Sequence, residues 1–148
     1  ATFTEADIRL PLYDGDLEDS EGIPPEVQTL ADQIAAADAV VISTTEYNKG
    51  PSGVLKNALD WVSRTKTKPW TGKPLAVMSA AAGRAGGERA QLVLRSFMVP
   101  FQTRIMQGPE MHLADSSNQF DGNGRLTSER YLATLQTLMD KLRAEIGR

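Results

Sequence analysis

Residues 44–61 hold the side chains and the backbone best suited to bind a ligand, and they read Thr-Thr-Glu-Tyr-Asn-Lys-Gly-Pro-Ser-Gly-Val-Leu-Lys-Asn-Ala-Leu-Asp-Trp. They follow the apolar residues 39–42 and lead into an amphipathic helix. An open α/β sheet builds its ligand crevice in this order, where a buried strand ends in a loop that begins a helix. The N–H groups of such a loop suit an anion or a planar ring with carbonyl oxygens, and Tyr47 adds a rigid aromatic wall.

A second loop, residues 79–87, follows the apolar residues 75–78 and carries almost no side chain apart from that of Arg84. Small residues let a backbone approach a flat ligand closely. Because both loops follow strands, we expect them at the same carboxyl edge of one sheet. The residues alone leave two interpretations open: the loops cradle a flat ring such as a flavin, or their Gly and Ser residues only form tight turns.

The elements that position these loops alternate between strand-like and helix-like segments, which predicts βαβ units around a mainly parallel sheet. Pro and Asp-Gly mark residues 10–16 as a loop, and apolar residues at helical spacing predict each helix. The predicted strands span residues 2–8, 39–43, 75–78 and 101–106, and the predicted helices begin near residues 25, 54, 88 and 127.

Composition excludes several classes of protein. The 148 residues fit a single domain, 1–148. The chain has no cysteine, which excludes disulfides, thiolate catalysis and zinc–sulfur sites. A net charge of −3 gives no general attraction to nucleic acid or to an anionic membrane. No apolar run approaches the ~20 residues that span a bilayer, and no signal-peptide pattern opens the chain, so we expect a cytoplasmic protein.

Residues 46–61 closely resemble the flavin loop of the NADPH-dependent FMN reductase family. There a Glu-Tyr-Asn triplet, a Gly/Pro-containing turn and a Leu-Lys-Asn-Ala-Leu-Asp-Trp helix follow the third strand. Pro-Leu-Tyr-Asp-Gly-Asp-Leu at residues 11–17 and the small residues 79–87 are further shared segments. The resemblance runs over essentially the whole chain, and it implies a flavodoxin-like, doubly wound parallel sheet in three α/β/α layers.

The resemblance also implies FMN and NAD(P)H as cofactors. In the family the loop after the third strand contacts the isoalloxazine ring largely through its backbone, and the loop after the fourth strand packs on the same ring. The implied cofactor-binding residues are Thr45, Glu46, Tyr47, Asn48, Gly53, Ala82, Gly83 and Arg84.

The implied activity passes hydride from NAD(P)H to bound flavin and then to a second acceptor such as free flavin or a quinone. The implied assembly is a homodimer or homotetramer. A different class of function stays open, in which the chain is a non-catalytic flavodoxin-like flavin-binding or scaffold protein.

Two departures from the family pattern stand out. Thr45 occupies a position where the family usually has proline, which loosens the turn. The sequence also contains no counterpart of the family's first loop, a Gly-Ser-Leu-Arg followed by Ser and Asn that holds the FMN phosphate. We therefore expect the first predicted strand to correspond to the family's second, with the preceding βα unit absent from this sequence.

Five further side chains have alternative interpretations. Glu46 acts as a general acid or base, or only shapes its loop. Arg84 is a solvated loop charge, or contacts a flavin carbonyl or the phosphate of NADPH. His112 has no nucleophile or metal-ligand partner in view, and Trp61 and Trp70 fit a core or an interface better than a substrate platform. The sequence assigns no catalytic side chain and no metal site.

Overall fold

The computed structural model describes all 148 residues. Five α-helices and four strands follow one another along the chain. They are α1 (Gly15–Glu21), α2 (Pro25–Ala36), β1 (Val40–Thr44), α3 (Gly53–Ser63), β2 (Pro74–Ala80), α4 (Glu88–Phe97), β3 (Arg104–Ile105), β4 (Met111–Leu113) and α5 (Glu129–Glu145). No helix combines the length and the apolar character that crossing a bilayer requires.

β2 is the central strand of the sheet. It pairs in parallel with β1 along the whole of β1, from Val40 opposite Leu75 to Thr44 opposite Ser79. β3 and β4 both lie on the other side of β2, where β3 pairs with its beginning and β4 with its end, again in parallel. The two short strands therefore act as one strand interrupted by residues 106–110.

Alternation along β2 divides the core into two layers, because successive side chains of a strand point to opposite faces. Leu75 and Val77 are buried with α2, α3 and α4 on one face. Ala76 is buried on the other face with Leu138 and Leu142 of α5. The result is the expected α/β/α arrangement, with helices covering both faces of a parallel sheet.

The predicted strand at residues 2–8 is wrong, since no residue before α1 belongs to a strand. Inward-facing and outward-facing side chains do alternate in this segment, since Ala6 and Ile8 pack against the core while Phe3 is 79% exposed. β1 pairs with β2 only, so this segment has no neighbouring strand to receive its backbone hydrogen bonds. Alternation places side chains, whereas a strand also needs a ladder partner.

Other boundaries differ for local reasons. The Asp-Gly at residues 14–15 begins α1 and is no simple turn, because the Asp14 carboxylate accepts from the N–H groups of Asp16 and Leu17. The predicted strand 101–106 shrinks to Arg104–Ile105 because a 3₁₀ turn precedes it. The helix predicted to begin near residue 127 begins at Glu129, where the Ser128 side chain caps it.

Residues 11–17 are anchored to α3 by two side chains spaced four residues apart. Trp61 Nε1 and Asn57 Nδ2 both donate to the Pro11 carbonyl, at 2.8 and 2.9 Å, and Asn57 Oδ1 accepts from Tyr13 N at 2.8 Å. The Tyr13 ring packs edge-on against the ring of the buried Trp61, with 4.9 Å between the two ring centroids. Two segments that are distant in the sequence therefore form one structural unit.

Glu18 and Arg64 form an ion pair beside this unit. Arg64 Nε donates to both Glu18 carboxylate oxygens, at 3.0 and 2.9 Å, and Tyr13 OH donates to Glu18 at 2.9 Å. The hydrogen bond from Arg64, together with that from Tyr13, lowers the pKa of Glu18 below its ordinary value of 4.5. The charged form of Glu18 is therefore favoured by the fold.

We predict that Glu18 contributes to acid unfolding. Because its pKa is lower in the folded chain, Glu18 stabilises the fold above its ordinary pKa, and this contribution is lost as the pH falls through the folded pKa. Glu18→Gln removes the titration but keeps an oxygen that accepts from Tyr13. Thermal melts from about pH 7 to about pH 3 should show a shallower acid loss in Glu18→Gln than in the wild type. Glu21→Gln, at an exposed position, is the control, and equal slopes in all three proteins would contradict the assignment.

Candidate functional site

The two predicted ligand loops lie side by side because β1 and β2 are parallel and end in register. Thr44, the last residue of β1, is opposite Ser79 near the end of β2. Residues 45–53 and 81–87 therefore leave the same edge of the sheet. A cleft of about 470 Å³ lies between them, lined by Glu46, Arg84, Ala85, Glu88 and Arg89.

The first loop contains a closed two-residue turn. Tyr47 N donates to Gly50 O at 2.9 Å and Gly50 N donates to Tyr47 O at 3.0 Å. Asn48 and Lys49 between them both have positive φ, 49° and 67°, as a type I′ turn requires. Their own N–H groups bond to no other group of the chain, and the Tyr47 side chain is 66% exposed. The turn thus presents an aromatic ring and two N–H donors to a ligand.

The first loop ends at α3, which begins at Gly53 without a side-chain cap from Ser52. A Cβ built on Gly53 meets no other atom within 4 Å. Packing within the chain therefore gives no reason for a glycine at this exposed position. Val54 beside it is 41% exposed, so the helix begins with two outward-facing residues.

The second loop divides into an outer and an inner half. Residues 82–85 are exposed, whereas Gly86 and Gly87 are buried. A Cβ on Gly86 would lie 2.6 Å from the His112 backbone carbon, and one on Gly87 would lie 2.7 Å from Ser79 Cβ. A Cβ on Gly83 meets nothing within 4 Å. The fold itself requires the two inner glycines, and Gly83 leaves open space in which a ring can lie.

Glu46 joins the two loops through its carboxylate. Glu46 Oε2 accepts from Ala90 N at 3.2 Å, in the first turn of α4. Gly87, which precedes that helix, has no side chain to cap it, so Glu46 supplies an acceptor for an otherwise unpaired donor. This contact favours the loop-shaping interpretation of Glu46 over an acid–base role.

Arg84 lies on the exposed outer half of the second loop, and its guanidinium forms no ion pair or hydrogen bond within the chain. Arg84 and Arg89 line the cleft together with Glu46 and Glu88. An unpaired guanidinium beside a cleft is able to bind a carbonyl or phosphate oxygen in bidentate geometry.

The remaining side chains lie away from the cleft or below it. Trp61 and Trp70 are buried, at 0% and 5% exposure, as expected for core residues. His112 lies in β4, where it is half-buried. Sequence reasoning missed two buried polar residues beneath the second loop, Ser79 and Gln91. The signal for Gln91 was its place on the apolar stripe of α4, three residues before Leu94.

Comparison with known proteins identifies relatives of this chain. The sequence profile described as NADPH-dependent FMN reductase matches residues 2–118. A Pseudomonas aeruginosa protein named NAD(P)H-dependent FMN reductase is 40% identical over 144 residues, which cover 97% of this chain and 77% of that protein. The quinone reductase of Escherichia coli K12 is 43% identical over 112 residues, which cover 76% of this chain but only 60% of that protein.

A solved structure is similar as well. FerB of Paracoccus denitrificans, described as a flavoenzyme NAD(P)H:(acceptor) oxidoreductase, superposes with a TM-score of 0.77 at 32% identity. The match covers 95% of this chain and 76% of FerB.

We predict that the Asn48–Lys49 turn accepts glycine better than other exposed turns do. A left-handed backbone costs a residue with a side chain ~1–2 kcal/mol, and the added freedom of glycine in the unfolded chain costs ~0.5–1 kcal/mol. Lys49→Gly should therefore raise the free energy of unfolding by about 0.5 kcal/mol. Lys66→Gly, in a turn where φ is not positive, should lower it by ~0.5–1 kcal/mol. Urea unfolding compares the two variants, and a loss of stability in both would rule out the strained turn.

Proposed function

The chain belongs to the NADPH-dependent FMN reductase family, and we propose that it holds FMN between its two loops and acts as an NAD(P)H oxidoreductase. The proposal depends on one observation, that two exposed loop segments lie together at one edge of the sheet. The exposed Tyr47 turn leaves the end of β1, and the open backbone around Gly83 leaves the end of β2.

The residues present fit a flavin ring. The open spaces beside Gly53 and Gly83 admit a flat group close to the backbone. The free N–H groups of the Asn48–Lys49 turn suit ring carbonyl oxygens. We therefore propose as FMN contacts the residues Thr45, Glu46, Tyr47, Asn48, Gly53, Ala82, Gly83 and Arg84.

When bound, FMN supplies the hydride chemistry between NAD(P)H and a second acceptor such as free flavin or a quinone, and the protein supplies orientation and electrostatics. Tyr47 forms one wall of the site and excludes water from the ring. Arg84 holds a positive charge where a ring carbonyl or the phosphate of NADPH is accommodated. Hydride transfer itself needs no protein acid, so we propose no catalytic side chain.

The relatives support a reductase by their names, which specify FMN reductase and quinone reductase. None of the names favours a flavin-binding protein without turnover. A flavin or a quinone is the small-molecule acceptor that we propose for this chain. We propose a cytoplasmic location, with which a chain that has no cysteine to form disulfides is compatible, and we propose no nucleic-acid or membrane partner.

We also propose that the chain forms a homodimer or homotetramer through α3 and α4. A groove of about 630 Å³ runs between these helices and includes Trp70, Phe97 and Phe101. Leu92 on α4 and Val99 just beyond it are 69% and 74% exposed. A second copy that covers this face would remove the exposed side chains of Leu92 and Val99 from water. Light scattering coupled to gel filtration measures the assembly, and a monomer at micromolar concentration would contradict it.

The central test is titration of the protein with FMN, followed by NAD(P)H oxidation with a quinone acceptor. We expect Gly83→Val to weaken FMN binding by at least about tenfold, which is about 1.4 kcal/mol, because its side chain fills the open space beside the ring. The fold should be unaffected, since a Cβ at Gly83 meets nothing within 4 Å. Tyr47→Ala should also weaken binding, and Tyr47→Phe should retain most of it.

Gly122→Val is the matched control, because its Cβ also meets nothing within 4 Å and the residue lies outside both loops. It should bind FMN as the wild type does. A folded wild-type protein that does not bind FMN would overturn the proposed function. Equal affinities of Gly83→Val and Gly122→Val would overturn the site assignment alone.

A further inference from the structure

A buried polar cluster lies directly beneath the second loop. Gln91 of α4 and Ser79 of β2 are 1% and 2% exposed. Gln91 Nε2 donates to Ser79 Oγ at 2.9 Å and to the Met111 carbonyl at 2.7 Å. Ser79 Oγ donates to the Gly86 carbonyl at 2.6 Å. Two side chains thus connect a helix, two strands and the loop.

The direction of each hydrogen bond in the cluster is fixed. The Ser79 hydroxyl has one hydrogen, which it donates to Gly86, so its oxygen is the acceptor for Gln91. The Gln91 amide must turn its NH₂ towards both Ser79 and Met111. Rotating the amide by 180° would set its oxygen against the Met111 carbonyl, acceptor against acceptor. The cluster therefore has a single arrangement.

This arrangement has a cost that packing does not explain. Gln91 Oε1 is buried without a hydrogen-bond partner, and an unsatisfied buried polar atom lowers stability. Apolar side chains of similar size would avoid that cost, but they would leave the Gly86 and Met111 carbonyls without the donors that the cluster supplies. The cluster therefore serves to hold these two carbonyls in place.

What the cluster orients is the inner half of the loop. Ser79 holds the Gly86 carbonyl inward, and Gly86 N donates to Gly83 O at 3.2 Å. Gly86 has a φ of 60° and packs against the His112 backbone. With Gly86 fixed on the inside, residues 82–85 are left exposed at the sheet edge.

We propose that Ser79 and Gln91 are positioning residues for the ligand loop: they anchor Gly86 and so set the course of the backbone at residues 82–85. The proposal rests on the proposed function for the identity of the ligand, FMN. Neither side chain reaches the surface, so neither touches the ligand.

The test uses Ser79→Ala, which removes the anchor of Gly86 but adds no bulk. In the protein without FMN, amide hydrogen exchange at residues 82–87 should become at least about tenfold faster, because these amides open more often. The FMN dissociation constant should rise by a similar factor. Thr65→Val is the matched control, since the Thr65 hydroxyl is also buried and bonds to Val62 O away from the loop. The Thr65→Val protein should melt at about the same temperature as the Ser79→Ala protein, but amide exchange at residues 82–87 should stay as slow as in the wild type.

Gln91→Met is the second variant, and it provides the test if Ser79→Ala does not fold. Methionine keeps the approximate size of the side chain but has no donor for Ser79 Oγ or the Met111 carbonyl, so exchange in the loop should again accelerate. Unchanged loop exchange in the variants that fold, or equal acceleration in Thr65→Val, would overturn the positioning role. If the wild type does not bind FMN, the proposed function fails, and hydrogen exchange in the free protein still tests the anchor.

Discussion

The parallel pairing of β1 with β2 is the interaction on which the candidate site depends. The backbone ladder runs in register from Val40 and Leu75 to Thr44 and Ser79, so both strands release their loops at one edge. Burial of Leu75, Ala76 and Val77 on the two faces of β2 fixes that register, because a shift by one residue would exchange the faces of every side chain. The distance between the Tyr47 turn and the Gly83 segment is thus set by the core.

The glycines of the site serve two different purposes. Gly86 and Gly87 are required by the protein itself, since a Cβ at either would overlap neighbouring atoms. Gly53 and Gly83 have free space beside them, so packing within the chain does not require a glycine at either position. In the second loop the fold therefore constrains the inner half, and the outer half is the surface that we propose for FMN binding.

Hydrogen bonds connect both loops to neighbouring helices and strands. Glu46 connects the first loop to the start of α4, and Gln91 connects α4 to β2 and β4. Along α3, Asn57 and Trp61 hold residues 11–17 through the Pro11 carbonyl. The same helix thus follows the first loop and anchors a segment more than forty residues earlier in the chain.

The α/β class, the helices α2 to α5, strands β1 and β2, and the two loops were predictable from the sequence, because these depend on local periodicity and on short-range turn chemistry. The family was predictable as well, since residues 46–61 combine several uncommon features in one order. The remaining features depend on contacts between segments that are distant in the chain. Residues 2–8 alternate like a strand but have no ladder partner, β4 is too short to be distinguished from a loop, and α1 depends on one Asp14 cap. Ser79 and Gln91 are ordinary polar residues in the sequence, and their importance arises from burial beneath the loop, where each donor must find a specific acceptor across distant segments.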